Sequence, residues 1–516
     1  MTTLASNAPA QPTPSRVRAT DARSNAHRSP SGDETERTLA SRFIILMLCL
    51  TVALSTLAFG TVHSWSLAIF YMGAGAVVVA WAADAWRSRR LRVSRNVLQL
   101  PLAALILLGL VQLLPLGTGG AGAALPLESA RTISFDPYAT RFVLIQLVAL
   151  FIYFAAALSF IDSQKRLRLV VRTIIIFAFA LSVVSMILFF ISPDRVFGIR
   201  EMKQSQGFGP FINRHHFAAY MELALALPLG LLFSGALAGE RRPLYIFAAA
   251  LMGISIILTN SRGGMVSLVA EIMFLVMVSG VGLRQRGDKE RGTAEGSRLR
   301  GALKRAVIGF AIIIALFTGV LFFGGESALN RLVGTVNAED PTTGRMHFWR
   351  GTLGIIRDHP VVGVGLGGFS AAYSKYDTSN GKLFRLEQAH NDYLQTLSDA
   401  GLVGAALGLF FIVALFRMSF RRMQSNSSFR RGVALGALSG CFALLVHSFF
   451  DFTLHTTANA LLFLLLAALA TINGRVEHTS RRRSTSSSSR RPPPPDATKE
   501  TPALEQDGET SVAAQT

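Results

Sequence analysis

Apolar blocks of about 20 residues recur along this chain, and each is long enough to cross a lipid bilayer as an α-helix. They lie near residues 43–60, 66–85, 97–115, 142–161, 170–192, 217–238, 243–259, 264–283, 306–324, 400–416, 432–450 and 456–472. Hydrophobic residues make up 50% of the 516 residues and charged residues only 16%, whereas soluble domains carry about 25% charged residues. The sequence therefore predicts an all-α polytopic membrane protein with about 12 transmembrane helices and excludes an ordinary soluble globule.

Basic residues concentrate in every second connection between these blocks. They occupy 87–95, 165–168, 240–242, 284–305 and 417–422, and 481–483 after the last block. An excess of Lys and Arg marks the cytoplasmic loops of membrane proteins. We therefore predict that these connections and both termini face the cytoplasm, and that the net charge of +20 reflects membrane orientation and not binding of nucleic acid.

Composition also predicts the domain organisation. Residues 1–41 and 474–516 are rich in Ser, Thr and Pro or in Arg and Ser, so they cannot bury a core and are expected to be disordered cytoplasmic segments. Residues 42–473 form the predicted membrane domain. Within it, residues 325–399 make up a long extracytoplasmic loop between the ninth and tenth spans, which is large enough to shape part of a site.

Two helices are expected within that loop. Thr343 can cap a helix that ends near Asp358, where His359-Pro360 follows. A second helix fits from about Arg385 to Ala400, with Gly401 as its stop. The predicted loop is thus partly helical.

Arg262 stands in the short turn NSRGG (260–264), which the orientation rule places outside the cytoplasm. A lone arginine there works against correct orientation, so some other role must favour it. Its guanidinium offers a planar fork of donors that matches phosphate oxygens. The alternative is an arginine that extends to lipid head groups, and the residue alone leaves both interpretations open.

Arg214 and two histidines follow each other in NRHHFAAY (213–220), directly before a predicted span. Arg214, His215 and His216 suit an anionic ligand, or they are ordinary interface residues. Adjacent histidines on a helix point about 100° apart, which is poor geometry for one shared metal. The predicted outer face has no HExxH pattern or compact acidic pair, so we expect neither a metal nor a cofactor.

His390 lies in EQAHNDYLQTLSDAG (387–401), within the second predicted helix of the long loop. Histidine is the side chain whose ordinary pKa suits general-base work near neutral pH. A structural hydrogen-bonding role is the alternative interpretation.

The segment GVGLGG (363–368) has the glycine spacing of a dinucleotide-binding loop. No βαβ unit surrounds it, and it is predicted to lie outside the cytoplasm. Tight turning and close packing explain these glycines better.

Ionisable residues inside or near the spans are further candidates. Glu222 and Glu271 are costly to bury in a membrane, so either function or hydrogen bonding between helices must favour them. At the last hairpin, His447, Asp451 and His455 form a second polar cluster, for which ligand binding and packing both remain open.

Five segments, in this order, resemble the O-antigen ligase family and its polymerase relatives. They are NRHHFAAYMELALALPLGLL, LTNSRGG, GRMHFWRGTLGIIRDHPVVGVGLGGF, AHNDYLQTLSDAG and HSFFD. The resemblance covers about residues 200–470 by motif, and the first five spans by layout alone. It implies an all-helical glycosyltransferase at the outer, periplasmic face of the bacterial inner membrane.

The resemblance also implies a reaction and its residues. Members of this family transfer a glycan from undecaprenyl diphosphate, ligases to lipid A-core and polymerases to another glycan chain. Carried over to this sequence, His390 is the catalytic residue, and the substrate-binding residues are Arg262, Arg214, Arg345 and Arg350. We expect His390 to deprotonate the acceptor hydroxyl in a metal-independent, inverting attack.

Three functions follow in order of preference. The first is an O-antigen ligase, and the second is an O-antigen or exopolysaccharide polymerase that uses the same donor. A polysaccharide or lipid transporter is third, because twelve spans are a common transporter layout but the polar residues concentrate at one surface. Expected partners are the lipid-linked glycan, the acceptor and membrane lipids. The sugar, its linkage, the acceptor and the oligomeric state stay open.

Overall fold

The computed structural model describes residues 38–116, 132–193, 195–201, 207–290, 345–377 and 386–472, with the side chains of 280–290 excepted. The chain folds mainly into α-helices in these ranges. They are α1 (Leu39–Leu57), α2 (Ser64–Ser88), α3 (Gln99–Gln112), α4 (Pro137–Phe160), α5 (Gln164–Ile191), α6 (Arg214–Phe233), α7 (Arg242–Leu258), α8 (Arg262–Glu290), α9 (Arg345–Asp358), α10 (Phe369–Tyr373), α11 (Asp392–Met423), α12 (Ser428–His447) and α13 (Thr457–Thr471). A small antiparallel hairpin, β1 (Arg195–Val196) and β2 (Arg200–Glu201), lies between α5 and α6.

Nine helices of the described residues are long and apolar enough to cross a membrane, and α3 and α13 are shorter apolar helices. The prediction of an all-α polytopic membrane protein is therefore confirmed. The predicted span at 306–324 lies outside the described residues, as do residues 1–37 of the predicted disordered segment 1–41 and the whole of the predicted disordered segment 474–516. Leu39 to Ser41 belong to α1. The count of twelve spans stays a prediction.

Helices α6 and α12 form the centre of the bundle, where they cross at very close range. A Cβ added to Gly230 of α6 would lie 2.4 Å from the Cα of Gly436 on α12, and one added to Gly436 would lie 2.4 Å from the carbonyl oxygen of Ala226. Small residues let helix backbones approach closely in a membrane, where packing drives association. The central pair therefore fixes the relative positions of the first turn of α6 and the last turn of α12.

The connections between helices gather at two opposite ends of the bundle. At the upper end, defined by loops 58–63, 259–261 and 448–456, the N–H of Ala458 donates to the carbonyl of Gly60 (3.2 Å). At the lower end, Arg92 pairs with Asp84 at 3.2 Å. The basic connections 87–95, 165–168 and 417–422 belong to the lower end. That the lower end faces the cytoplasm stays a prediction.

The long loop before α11 contains α9, which ends at Asp358 as the sequence predicted. Thr343, its predicted cap, lies outside the described residues. The predicted second helix, from Arg385 to Ala400, was wrong at its start. Residues 386–391 are not helical, because the Asn391 side chain caps α11 by accepting from the N–H groups of Tyr393 (3.0 Å) and Leu394 (3.1 Å).

Gly401 ends the first helical stretch of α11, as predicted, at a sharp bend. Its φ of 62° interrupts the helical backbone, and a second helical stretch continues from there to Met423. The segment GVGLGG (363–368) packs against this bend, and its N–H groups at Val364 and Gly365 donate to the carbonyls of Ser398 (2.8 Å) and Asp399 (3.1 Å). Gly363, Gly365 and Gly367 all have positive φ, which confirms the prediction of tight turning and close packing.

Candidate active site

Two predicted arginines begin helices. Arg214 and Arg262 are the first residues of α6 and α8, and Arg345 lies on α9. The N-terminus of a helix carries partial positive charge and unpaired N–H groups, so it favours anions. Two helix starts and three cationic side chains thus give the site a positive character.

Arg262 follows a tight turn that Ser261 stabilises. The Ser261 hydroxyl accepts from the N–H of Gly264 (3.1 Å) and lies 2.7 Å from Nδ1 of His215. Nη1 of Arg262 is buried and has no hydrogen-bond partner among the described residues. A buried guanidinium nitrogen without a partner is costly, so this atom is suited to bind an oxygen of a ligand.

The turn of Arg262 packs against the loop that carries Asp451. A Cβ added to Gly263 would lie 2.9 Å from Cβ of Phe450. From the other side, Nη1 of Arg345 donates to the Phe450 carbonyl, and Nη2 of Arg345 lies 3.8 Å from Oδ2 of Asp451. These contacts bring the start of α8 and the Arg345 side chain to the same short loop.

Asp451 also contacts His390, and this pair is the centre of the site. Nδ1 of His390 lies 3.1 Å from Oδ1 of Asp451, whose side chain is only 2% exposed. Burial raises the pKa of Asp451, but the hydrogen bond from His390 and nearby positive charges such as Arg345 outweigh it and hold the pKa well below its usual range. The carboxylate is therefore ionised at neutral pH.

An ionised Asp451 fixes the tautomer of His390. Nδ1 must carry the proton that it donates to the carboxylate, which leaves the lone pair on Nε2. The His390 side chain is 30% exposed, and Nε2 has no hydrogen-bond partner among the residues that the structure describes. His390 can thus accept a proton from a hydroxyl group that approaches from outside.

The backbone of His390 is held in a sharp bend. Its φ is 51°, which is uncommon for a residue other than glycine. The neighbours hold this bend, because Ala389 accepts from Nε1 of Trp349 (3.1 Å) and Nδ2 of Asn391 donates to the Phe449 carbonyl (3.2 Å). Strain that the surroundings enforce is common at functional sites.

The histidines after Arg214 have supporting contacts. His215 bonds to Ser261 as described, and Nδ1 of buried His216 lies 2.7 Å from the hydroxyl of Thr456. The ring of His216 also meets Phe452 edge-on, at 4.9 Å between centroids, and His390 meets the same Phe452 at 4.9 Å. Arg214 therefore lies beside residues that pack directly against the candidate site.

Arg350 differs from the other predicted arginines. It is exposed on α9, about 140° around the helix from Arg345 at 100° per residue. Among the described residues, no hydrogen bond or ion pair connects Arg350 to the His390 cluster. Its predicted role in substrate binding rests on the resemblance alone.

A second His–Asp pair lies in the same loop region. Nδ1 of His455 is 3.0 Å from Oδ1 of Asp392, and Oδ2 of Asp392 accepts from the hydroxyls of Ser448 (2.8 Å) and Thr453 (3.2 Å). Burial lowers the pKa of His455, but the bond and charge of Asp392 outweigh it and raise the pKa above its usual value. This pair ties the start of α11 to the loop that carries Asp451.

The sequence did not assign Asp451 or Asp392 to these histidines. The signals for Asp451 were its place in HSFFD and in the polar cluster with His447 and His455 at the last hairpin. In the described ranges, no group of three or more His, Cys, Asp or Glu side chains is arranged to hold a metal ion. Metal independence of the reaction stays a prediction.

Comparison with known proteins gives one family. Residues 247–409 match the family model described as O-antigen ligase, and no curated protein matches the chain. The match confirms the resemblance predicted from the motifs and includes Arg262, Arg345, Arg350 and His390. Together with the apolar helices, it supports a multi-pass membrane protein with a glycan-transferring function of the ligase or polymerase type.

Proposed function

We propose that this chain, which matches the O-antigen ligase family over residues 247–409, transfers a glycan from undecaprenyl diphosphate to lipid A-core. The reaction takes place at the periplasmic face of the bacterial inner membrane. The observation that carries the proposal is the His390–Asp451 pair, with the helix start at Arg262 and the side chain of Arg345 contacting the same loop.

His390 acts as the general base in this reaction. As the acceptor oxygen attacks C1 of the donor sugar, its proton passes to Nε2 of His390, while the bond from C1 to the diphosphate oxygen breaks. The diphosphate leaves with that electron pair, and direct displacement inverts the anomeric centre. Asp451 stabilises the imidazolium that forms, because its carboxylate is ionised and accepts from Nδ1.

The arginines stabilise the leaving diphosphate. An opposite charge at 4 Å contributes about 4 kcal/mol at an effective dielectric of 20, but only about 1 kcal/mol in water. Because Nη1 of Arg262 is buried, we expect its interaction with the diphosphate to lie near the larger of these two energies. Guanidinium groups and helix N-termini together supply the positive charge that the departing diphosphate needs, so the proposed mechanism is metal-independent.

An O-antigen or exopolysaccharide polymerase is the second candidate, because the family match supports a ligase or a polymerase equally. The glycolipid profile of a deletion strain distinguishes the two. Loss of every glycan-capped lipid A-core supports the ligase, and cores that carry a single repeat support the polymerase. A profile identical to that of the parent strain contradicts the ligase and the O-antigen polymerase, and plasmid-borne wild-type protein should restore a changed profile to the parental one.

A further inference from the structure

Glu222 of α6 and His447 of α12 form a pair inside the bundle. Nδ1 of His447 lies 2.9 Å from Oε1 and 3.2 Å from Oε2 of Glu222, and both side chains are 0% exposed. Buried ionisable groups are expensive within a membrane and usually serve a function. Nothing in the proposed reaction uses either residue directly.

The first turn of α8, which starts at Arg262, packs directly against this pair. A Cβ added to Gly263 would lie 2.9 Å from Cδ2 and 3.0 Å from Nε2 of His447. A Cβ added to Gly264 would lie 3.3 Å from Oε1 of Glu222. The backbone that follows Arg262 therefore touches both members of the pair with no space for a methyl group.

His447 also begins the loop that holds the base. Its carbonyl oxygen accepts from the N–H groups of Phe450 (2.8 Å) and Asp451 (3.2 Å). Asp451 in turn bonds to His390, and Arg345 donates to the Phe450 carbonyl. A shift of His447 would therefore move the Arg262 turn and the Asp451 loop relative to each other.

We infer that the Glu222–His447 pair is a positioning element that sets the spacing between Arg262 and the His390–Asp451 pair. This inference rests on the proposed function, in which Arg262 holds the diphosphate and His390 takes the proton of the acceptor. The two groups must act on opposite sides of the same sugar carbon, and a misplacement of about 1 Å can cost about 100-fold in rate. Neither Glu222 nor His447 touches the substrate.

The test uses purified full-length protein with undecaprenyl diphosphate-linked glycan and lipid A-core. Glu222→Leu removes the acceptor for His447, whereas Glu222→Gln retains an amide oxygen that can still accept from Nδ1. We expect kcat to fall about 100-fold in Glu222→Leu, with partial rescue in Glu222→Gln. Asp84→Asn is the control for loss of a buried carboxylate, since Asp84 is equally buried but pairs with Arg92 at the lower end of the bundle; its kcat should stay near wild type.

A double substitution separates positioning from general damage. If Glu222 acts through Arg262, the losses from Glu222→Gln and Arg262→Lys should not add, because residues that act as a unit are strongly non-additive. Fully additive losses, or a wild-type kcat in Glu222→Leu, would overturn the inference. If Glu222→Leu does not insert into the membrane, the comparison of Glu222→Gln, Arg262→Lys and the double variant tests the inference by itself.

Binding of undecaprenyl diphosphate, followed by thermal stabilisation, distinguishes failure of this inference from failure of the proposed function. Glu222→Leu should need more of the lipid for half-maximal stabilisation, and Asp84→Asn should not. If the wild type transfers glycan and Glu222→Leu has the same kcat and the same lipid binding, only the positioning role is wrong. If the wild type transfers nothing but the binding difference holds, the proposed function is wrong and the support of Arg262 by the pair stands.

Discussion

Nδ1 of His390 lies 3.1 Å from Oδ1 of Asp451, although 61 residues separate the two in the sequence. The contact joins the end of the long loop to the turn between α12 and α13. It leaves Nε2 of His390 as the atom that can accept a proton. The proposed base therefore depends on a carboxylate that belongs to a different part of the chain.

Replacing that carboxylate should impair transfer without removing the base itself. In Asp451→Asn the amide no longer fixes the Nδ1–H tautomer by charge, and loss of an orienting carboxylate can lower kcat by up to about 10⁴-fold. The measurement is the initial rate of glycan transfer by purified protein. Asp377→Asn is the control, since Asp377 lies 3.7 Å from His347 in another His–Asp pair of the long loop. An Asp451→Asn variant as fast as Asp377→Asn would rule out the orienting role.

Arg262 should be sensitive even to a conservative change. A planar guanidinium can bind two phosphate oxygens at once, which the ammonium of lysine does not reproduce. Loss of a hydrogen bond to a charged group costs about 1.5–3 kcal/mol, so Arg262→Lys should reduce kcat/KM by about 10- to 100-fold while insertion is unchanged. Arg357→Lys, in the exposed last turn of α9, should have a much smaller effect. Equal losses in the two variants would contradict a specific phosphate contact at Arg262.

The His455–Asp392 pair should make stability depend on pH. The folded-state pKa of His455 is raised, so its contribution is fully present below the unfolded value of about 6.5 and disappears as pH rises through the folded value. The Tm difference between wild type and His455→Gln, measured by thermal unfolding in detergent, should therefore shrink from about pH 6 to about pH 9. The effect should be small, because the His455 side chain is 36% exposed. A Tm difference that grows with pH would contradict a raised pKa of His455 in the folded protein.

Much of the architecture could be predicted, because membrane-spanning helices appear in a sequence as long apolar blocks. The end of α9 at Asp358 was also readable, since His359-Pro360 cannot continue a helix. The start of α11 was misplaced because Ala389, Tyr393 and Leu397 have helical spacing, yet Asn391 is the cap and His390 bends the chain before it. Local capping thus outweighed an apparent periodicity.

The site was predictable only in part, for a different reason. Arg262 could be predicted because a lone arginine is unexpected in a short extracytoplasmic turn. His390 could be predicted because it matches a family motif. The partnership of His390 with Asp451 depends on how α11 and α12 pack, and no spacing in the sequence encodes that. The same holds for Glu222 and His447, which are 225 residues apart and meet only because α6 and α12 cross at the centre of the bundle.

The most direct test of the proposed reaction compares wild type with His390→Ala in purified form, with EDTA present. We predict that the wild type transfers glycan from undecaprenyl diphosphate to lipid A-core under these conditions. His390→Ala should be slower by about 10²- to 10⁴-fold, the usual loss for a general base, yet bind undecaprenyl diphosphate with near-normal affinity. His359→Ala, at the far end of α9, serves as the histidine control and should remain active. Transfer by His390→Ala at close to the wild-type rate, or wild-type activity that EDTA abolishes and a divalent metal restores, would contradict the metal-free histidine mechanism.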